Sequence, residues 1–150
     1  MTAFAGALGS IFNPARIVKK LITISLLANI VVLVPVCSSL VLGGERVAEV
    51  FGEPTPARGI LLSIYGSILV SSGLLLIKKC PKMVAALLLV QVLYKITTPA
   101  TVGSFQHPVV ISNLVVAALH TLTLVFIVRT AGNPFKDTGV AENSAATPKA

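Results

Sequence analysis

Apolar residues run along this chain in four long blocks, and what separates the blocks is glycine, proline and charge. LITISLLANIVVLVPVCSSLVL fills Leu21 to Leu42, ILLSIYGSILVSSGLLLI fills Ile60 to Ile77, and VVISNLVVAALHTLTLVFIV fills Val109 to Val128. The third block, MVAALLLVQVLYKITT, is the weakest, because its clean apolar part is short and Lys95 lies near its far end. A helix rises 1.5 Å per residue, so about 20 apolar residues cross a hydrocarbon core about 30 Å thick. Lipid offers unpaired backbone groups no partner, and these blocks are too few and too continuously apolar for a closed barrel. The pattern therefore predicts an all-α membrane protein, an up-down bundle of four transmembrane helices over about 21–42, 60–77, 82–98 and 109–128.

The punctuation between blocks refines these limits. Pro81 and Pro108 suit the first turn of a helix, where a missing N–H costs nothing, and Pro99 is read as the end of the third span. The first connector, GGERVAEVFGEPTPARG, is bracketed by turn signals. Within it Glu45 to Phe51 forms either a short amphipathic helix, with Val47, Val50 and Phe51 facing the membrane or the bundle, or a solvated loop. The segment around Ala100 to His107 reads as an external loop, with Lys95 an anchor at the outer interface that snorkels to headgroups or reaches Glu49 or Glu53. Its alternative is a re-entrant cap in which Lys95, Thr98, Thr101, Ser104 and His107 surround a vestibule. Residues 1–130 are expected to form a single domain with a short amino-terminal cytoplasmic segment. Residues 131–150, rich in Ala, Asn, Thr and Pro, are expected to be a disordered cytoplasmic tail.

Composition agrees with a lipid setting: 55% of residues are hydrophobic, 11% are charged, and the mean hydropathy is +0.92. A net charge of +7 does not make the chain a nucleic-acid binder, because its Lys and Arg sit singly or in short clusters at span ends. They orient it instead. Arg16, Lys19, Lys20, Lys78, Lys79, Lys82, Arg129, Lys136 and Lys149 fall on one side, while Arg46, Arg58 and Lys95 fall on the other. Under the positive-inside rule both termini are then cytoplasmic, and a bacterial inner membrane is the expected compartment. The first span exceeds a signal-peptide core and is expected to stay uncleaved. Cys37 and Cys80 lie toward opposite faces, too far apart for a disulfide.

Two sets of residues could do more than span. Span two carries small residues at helical spacing, Gly59, Ser63, Ser67 and Ser71, with Gly66 and Gly73 beside them, which predicts the central packing helix of the bundle. Asn29, Gln91 and His120 are each nine residues from a cytoplasmic charge, so they fall about 13 to 14 Å above that boundary, in one layer near the midplane with Ser67 and Ser71. Such a layer either ties helices together by hydrogen bonds or marks a ligand pocket or proton relay. His120 is the member that titrates near neutral pH, with an ordinary value of about 6.5.

Other chemistry finds little support. His107 and His120 lie about 20 Å apart along a helix, so one chain does not supply a haem with two axial ligands. Thr101-Val102-Gly103 matches the first three residues of a TVGYG potassium filter, but Ser104 and Phe105 break the match. No CxxC, HExxH or GxSxG motif occurs and no acidic residue lies within a span, so no metal or cofactor is expected and a hydrolase or intramembrane protease has nothing to work with. Two functions remain. One is a non-catalytic structural, assembly or regulatory component of a membrane complex, partnered by the lipid bilayer and by a membrane protein or a second copy. The other is a small transporter or redox-associated protein binding a lipid-soluble ligand such as a quinone at the midplane layer. In size and plan the chain resembles several small four-span families, the DoxX-like membrane proteins among them, and no site residue follows from that resemblance.

Overall fold

The structure, a computed structural model, describes residues 14–132. Its elements are α1 (Pro14–Leu42), α2 (Glu45–Phe51), α3 (Pro56–Ile77), α4 (Pro81–Val102) and α5 (Pro108–Ala131). Of these, α1, α3, α4 and α5 are long and apolar enough to cross a membrane, and they run up and down as the apolar blocks predict. The expected cytoplasmic tail and the start of the amino-terminal segment lie outside the described residues.

Each long helix outruns its apolar block. Helix α1 starts at Pro14 and carries Lys19 and Lys20 on its exposed surface, and α3 starts at Pro56, with proline in its first turn. Hydropathy marks where lipid ends, whereas backbone hydrogen bonding continues into the headgroup zone. The larger correction concerns Pro99, which does not end the third span: α4 passes through it to Val102. Threonines on either side stitch that last turn, Thr98 Oγ1 donating to the Tyr94 carbonyl at 2.8 Å and Thr101 Oγ1 to the Thr98 carbonyl at 3.0 Å. The helix stops at Gly103, whose φ of 71° is left-handed and whose N–H bonds back to the Pro99 carbonyl at 2.9 Å. Thr101 and Val102 are thus a helix end and Gly103 its cap, and the filter-like triplet and the re-entrant cap are both replaced by ordinary helix termination. The first connector takes its helical alternative: α2 buries Val47 and half-buries Val50 and Phe51.

Helix α1, not α3, is central. It packs against α3 on one side and α5 on the other, and α5 packs closely on α4, whereas α3 and α4 scarcely touch. The small-residue stripe therefore does not serve the interior. Gly59, Ser63 and Ser67 are exposed, and a Cβ added at Gly59, Gly66 or Gly73 would meet nothing. The Ser63 and Ser67 hydroxyls turn back onto the carbonyls of Gly59 and Ser63, at 3.1 and 2.8 Å. A small residue permits close approach without supplying the partner, so spacing alone does not tell an inward stripe from an outward one.

Two apolar clusters divide the core. One, at the end where α1 begins and α5 ends, contains Ile22, Leu26, Leu75, Val84, Leu88 and Ile127. The other, beneath α2, contains Leu33, Leu40, Val47, Tyr65 and Ile68. Between and beside them lies a run of buried polar side chains.

Candidate functional site

The polar interior begins at the level of Ser25, whose hydroxyl lies 2.7 Å from that of Thr123 and joins α1 to α5. One turn further on, Asn29 Nδ2 donates to Ser72 Oγ at 3.0 Å, and Asn29 Oδ1 faces His120 Nε2 at 3.0 Å. Asn29 thereby links three helices. Because its carbonyl oxygen faces the imidazole, Nε2 carries the hydrogen, and Nδ1 of the neutral ring is left as an acceptor. That Nδ1 is buried with no hydrogen-bond partner.

The structure thus brings Asn29 and His120 of the expected layer into contact. Gln91 is fully buried as well, yet neither its Nε2 nor its Oε1 has a partner. Ser67 and Ser71 are not members: the first is exposed and bonded to its own helix, and the serine that reaches Asn29 is Ser72. A span counted from its charges gives depth, but which of two neighbouring serines faces inward depends on how α3 is rotated, and its uniformly apolar surroundings do not set that.

Toward α2 a second cluster forms around Lys95. Its side chain is only 3% exposed, so the expected interfacial anchor is instead a buried cation. Nζ donates to Tyr94 Oη at 2.8 Å and to Asn113 Oδ1 at 3.1 Å, and it also lies 4.7 Å from the Tyr94 ring centre. Asn113 Nδ2 in turn donates to Thr98 Oγ1 at 3.3 Å. Neither Glu49 nor Glu53 reaches Lys95; both are exposed, and no ion pair forms among the described residues. Lys95 points inward because α4 presents Leu88, Gln91, Val92, Lys95 and Pro99 on its one buried face, packed on α5. The sequence hides this cluster in two ways: Asn113 lies inside an apolar run, and Lys95 lies close to Pro99, where the span is expected to end.

Around the cluster the separation of α3 from α4 leaves space. A cavity of about 190 Å³ touches Lys95, Asn113, Ser112, Leu33 and Tyr65, and it adjoins a wider cleft of about 680 Å³. The two share Phe51, Tyr65, Val109 and Asn113. Of the residues named for an external cap, Thr98, Thr101 and His107 line the wider cleft and Lys95 the smaller cavity. Lys95, Thr98 and Thr101 do so from α4, and His107 does so as the N-cap of α5, its Nδ1 accepting from the Val109 N–H at 3.3 Å.

The arrangement can hold an oxygen-bearing head against Lys95, an aromatic ring among Phe51, Tyr65 and Tyr94, and an apolar tail in the gap between α3 and α4. No group of three or more His, Cys, Asp or Glu gathers among the described residues. Compared with protein-family models, with curated proteins and with solved structures, the chain finds no match, so the likeness to DoxX-like proteins stays one of size and plan and function is argued from this site alone.

Proposed function

We propose that this chain is a small integral membrane protein that binds a lipid-soluble ligand with a hydrogen-bond-accepting head, of the quinone kind, in the cleft between α3 and α4. The observation that carries this reading is Lys95, a buried ammonium whose partners, Tyr94 and Asn113, are both neutral. Taking an ammonium out of water costs several kcal/mol unless its surroundings compensate, and buried charges inside spans concentrate at functional sites. An ammonium has three donors and two are engaged here, which leaves one for a ligand oxygen. The cleft beside it is mostly apolar with few converging polar groups, the usual make-up of a small-molecule site. The ligand site lies toward α2 from the Asn29–His120 layer, which acts as a tie between helices.

Purification of the full chain in mild detergent, followed by mass spectrometry of extracted lipids, tests the proposal. A stoichiometric isoprenoid quinone that disappears in Lys95→Met, with the variant still folded by circular dichroism, is the expected result. Equal recovery from both proteins would sink it.

Nine of the twelve Lys and Arg fall on one side of the spans by the sequence count, which supports cytoplasmic termini; in that orientation the Lys95 cleft faces the outer half of the membrane, a bacterial inner membrane being the compartment expected. A role in assembling a larger membrane complex has its own support in the exposed Gly59, Ser63 and Ser67, which front an open groove shared with Val90 and Tyr94 of α4. The two readings are compatible, and the buried cation favours the first.

A further inference from the structure

We propose that the bundle contains a water-bearing half-channel that runs from the α2-side cleft past Lys95 and Gln91 to His120 and ends there, so that His120 exchanges protons with the α2 side alone. This goes beyond the ligand reading and does not rest on it.

Three buried atoms motivate the inference: Gln91 Nε2, Gln91 Oε1 and His120 Nδ1 all lack a hydrogen-bond partner. Native interiors seldom leave such groups unsatisfied, and a buried water makes about three hydrogen bonds to polar groups of this kind. Helix register places them at successive depths inside the bundle. The contacts of Asn113 with Lys95 and Thr98 fix the antiparallel alignment of α4 and α5. From that level Gln91 lies one turn inward on the buried face of α4, about 6 Å, and His120 two turns inward on α5, about 10 Å. Gln91 therefore stands between the Lys95 cluster and the imidazole, offering a donor and an acceptor to water on either side.

The packing at the two ends of this interior differs. Toward α2 lie the cavity lined by Lys95 and Asn113 and the wider cleft beyond. Toward the start of α1 the Ser25 hydroxyl donates to Thr123 Oγ1, whose own hydrogen goes to the Leu119 carbonyl, and Val18, Ile22, Val84, Ala85 and Ile127 fill the axis behind them. The titratable groups facing this interior are Lys95 and Tyr94 of α4, Tyr65 of α3 and Cys37 of α1; α5 contributes His120 itself, with His107 at the cleft. None is a carboxylate. A proton passed along the water file adds to the Nδ1 lone pair and gives the imidazolium, while Nε2–H keeps its bond to Asn29. Release returns the proton to the same file.

The test uses full-length protein labelled with ¹⁵N-His and ¹⁵N-Gln in lipid bilayers, with water-edited solid-state NMR. His107→Asn and Gln106→Asn assign the signals of His120 and Gln91. Transfer from water to the Gln91 amide and the His120 ring is expected in the otherwise native chain, and a dry His120 ring overturns the proposal. In Gln91→Leu the ring is expected to lose its water signal; a ring still hydrated in the folded variant also overturns it. Sidedness is read from Gln91→Cys in a background with Cys37→Ala and Cys80→Ala. A small water-soluble thiosulfonate should modify it from the α2 side, and modification from the terminal side, or from neither while the native ring is wet, rejects the half-channel.

Discussion

His120 of α5 and Asn29 of α1 meet at 3.0 Å inside the bundle, and the same Asn29 amide holds Ser72 of α3. One side chain therefore fastens the central helix to both of its neighbours. Polar ties between membrane helices average about 0.6 kcal/mol, but stranding a buried donor costs about 1 to 3 kcal/mol. Asn29→Ala leaves both the Nε2–H of His120 and the Ser72 hydroxyl without their partner, so it is expected to cost more than Ser72→Ala, which strands the Asn29 Nδ2–H alone. Thermal unfolding in detergent, run as a double-mutant cycle of Asn29 with Ser72 and with His120, measures both. Equal losses would mean that the His120 contact contributes nothing beyond the serine bond.

Lys95 gives the opposite sign. Replacing a buried charge by an apolar side chain of similar length is often neutral or stabilising by about 1 to 4 kcal/mol, because desolvation is relieved. Ligand-free Lys95→Met is therefore expected to match or exceed the native protein in melting temperature. Added quinone should raise the melting temperature of the native protein and leave that of Lys95→Met unchanged. A destabilised Lys95→Met that still responds to quinone would make Lys95 a structural residue.

The four spans were legible because length and apolarity decide membrane crossing with little help from context, and the equal depths of Asn29 and His120 were legible because helical rise is constant. What escaped depends on rotation about the helix axis. Helix α3 is apolar nearly all round, so nothing in its sequence says whether Ser71 or Ser72 faces α1. Lys95 was read by its position near a helix end, yet α4 continues through Pro99 and leaves it two turns inside. The choice of α1 as hub was hidden for a related reason: the sequence order of helices sets their alternation, and packing decides which of them touch.

The outward stripe of α3 makes a simple prediction. Gly59→Ala and Gly66→Ala place a methyl group that meets nothing within 4 Å beyond its own turn of helix. Substitutions away from packed features usually shift stability by less than about 0.5 kcal/mol, and replacing a mid-helix glycine tends to help. Both variants are expected to keep or slightly raise the melting temperature of the monomer. If the face instead seats a second copy, the same changes weaken self-association, which analytical ultracentrifugation in detergent reads separately from unfolding.

The two cysteines test orientation. Cys80 sits exposed in the short connector between α3 and α4, at the end of the bundle that carries the termini, while Cys37 is half-buried in α1 near the α2 end. A membrane-impermeant maleimide needs an accessible, ionisable thiol, so it should modify Cys80 far faster than Cys37. With the termini in the cytoplasm, Cys80 is expected to react in inverted membrane vesicles and to stay protected in intact spheroplasts, with Cys80→Ala as the blank. The reverse pattern would turn the bundle over, moving the Lys95 cleft to the cytoplasmic half and sending the proton path of His120 to that side.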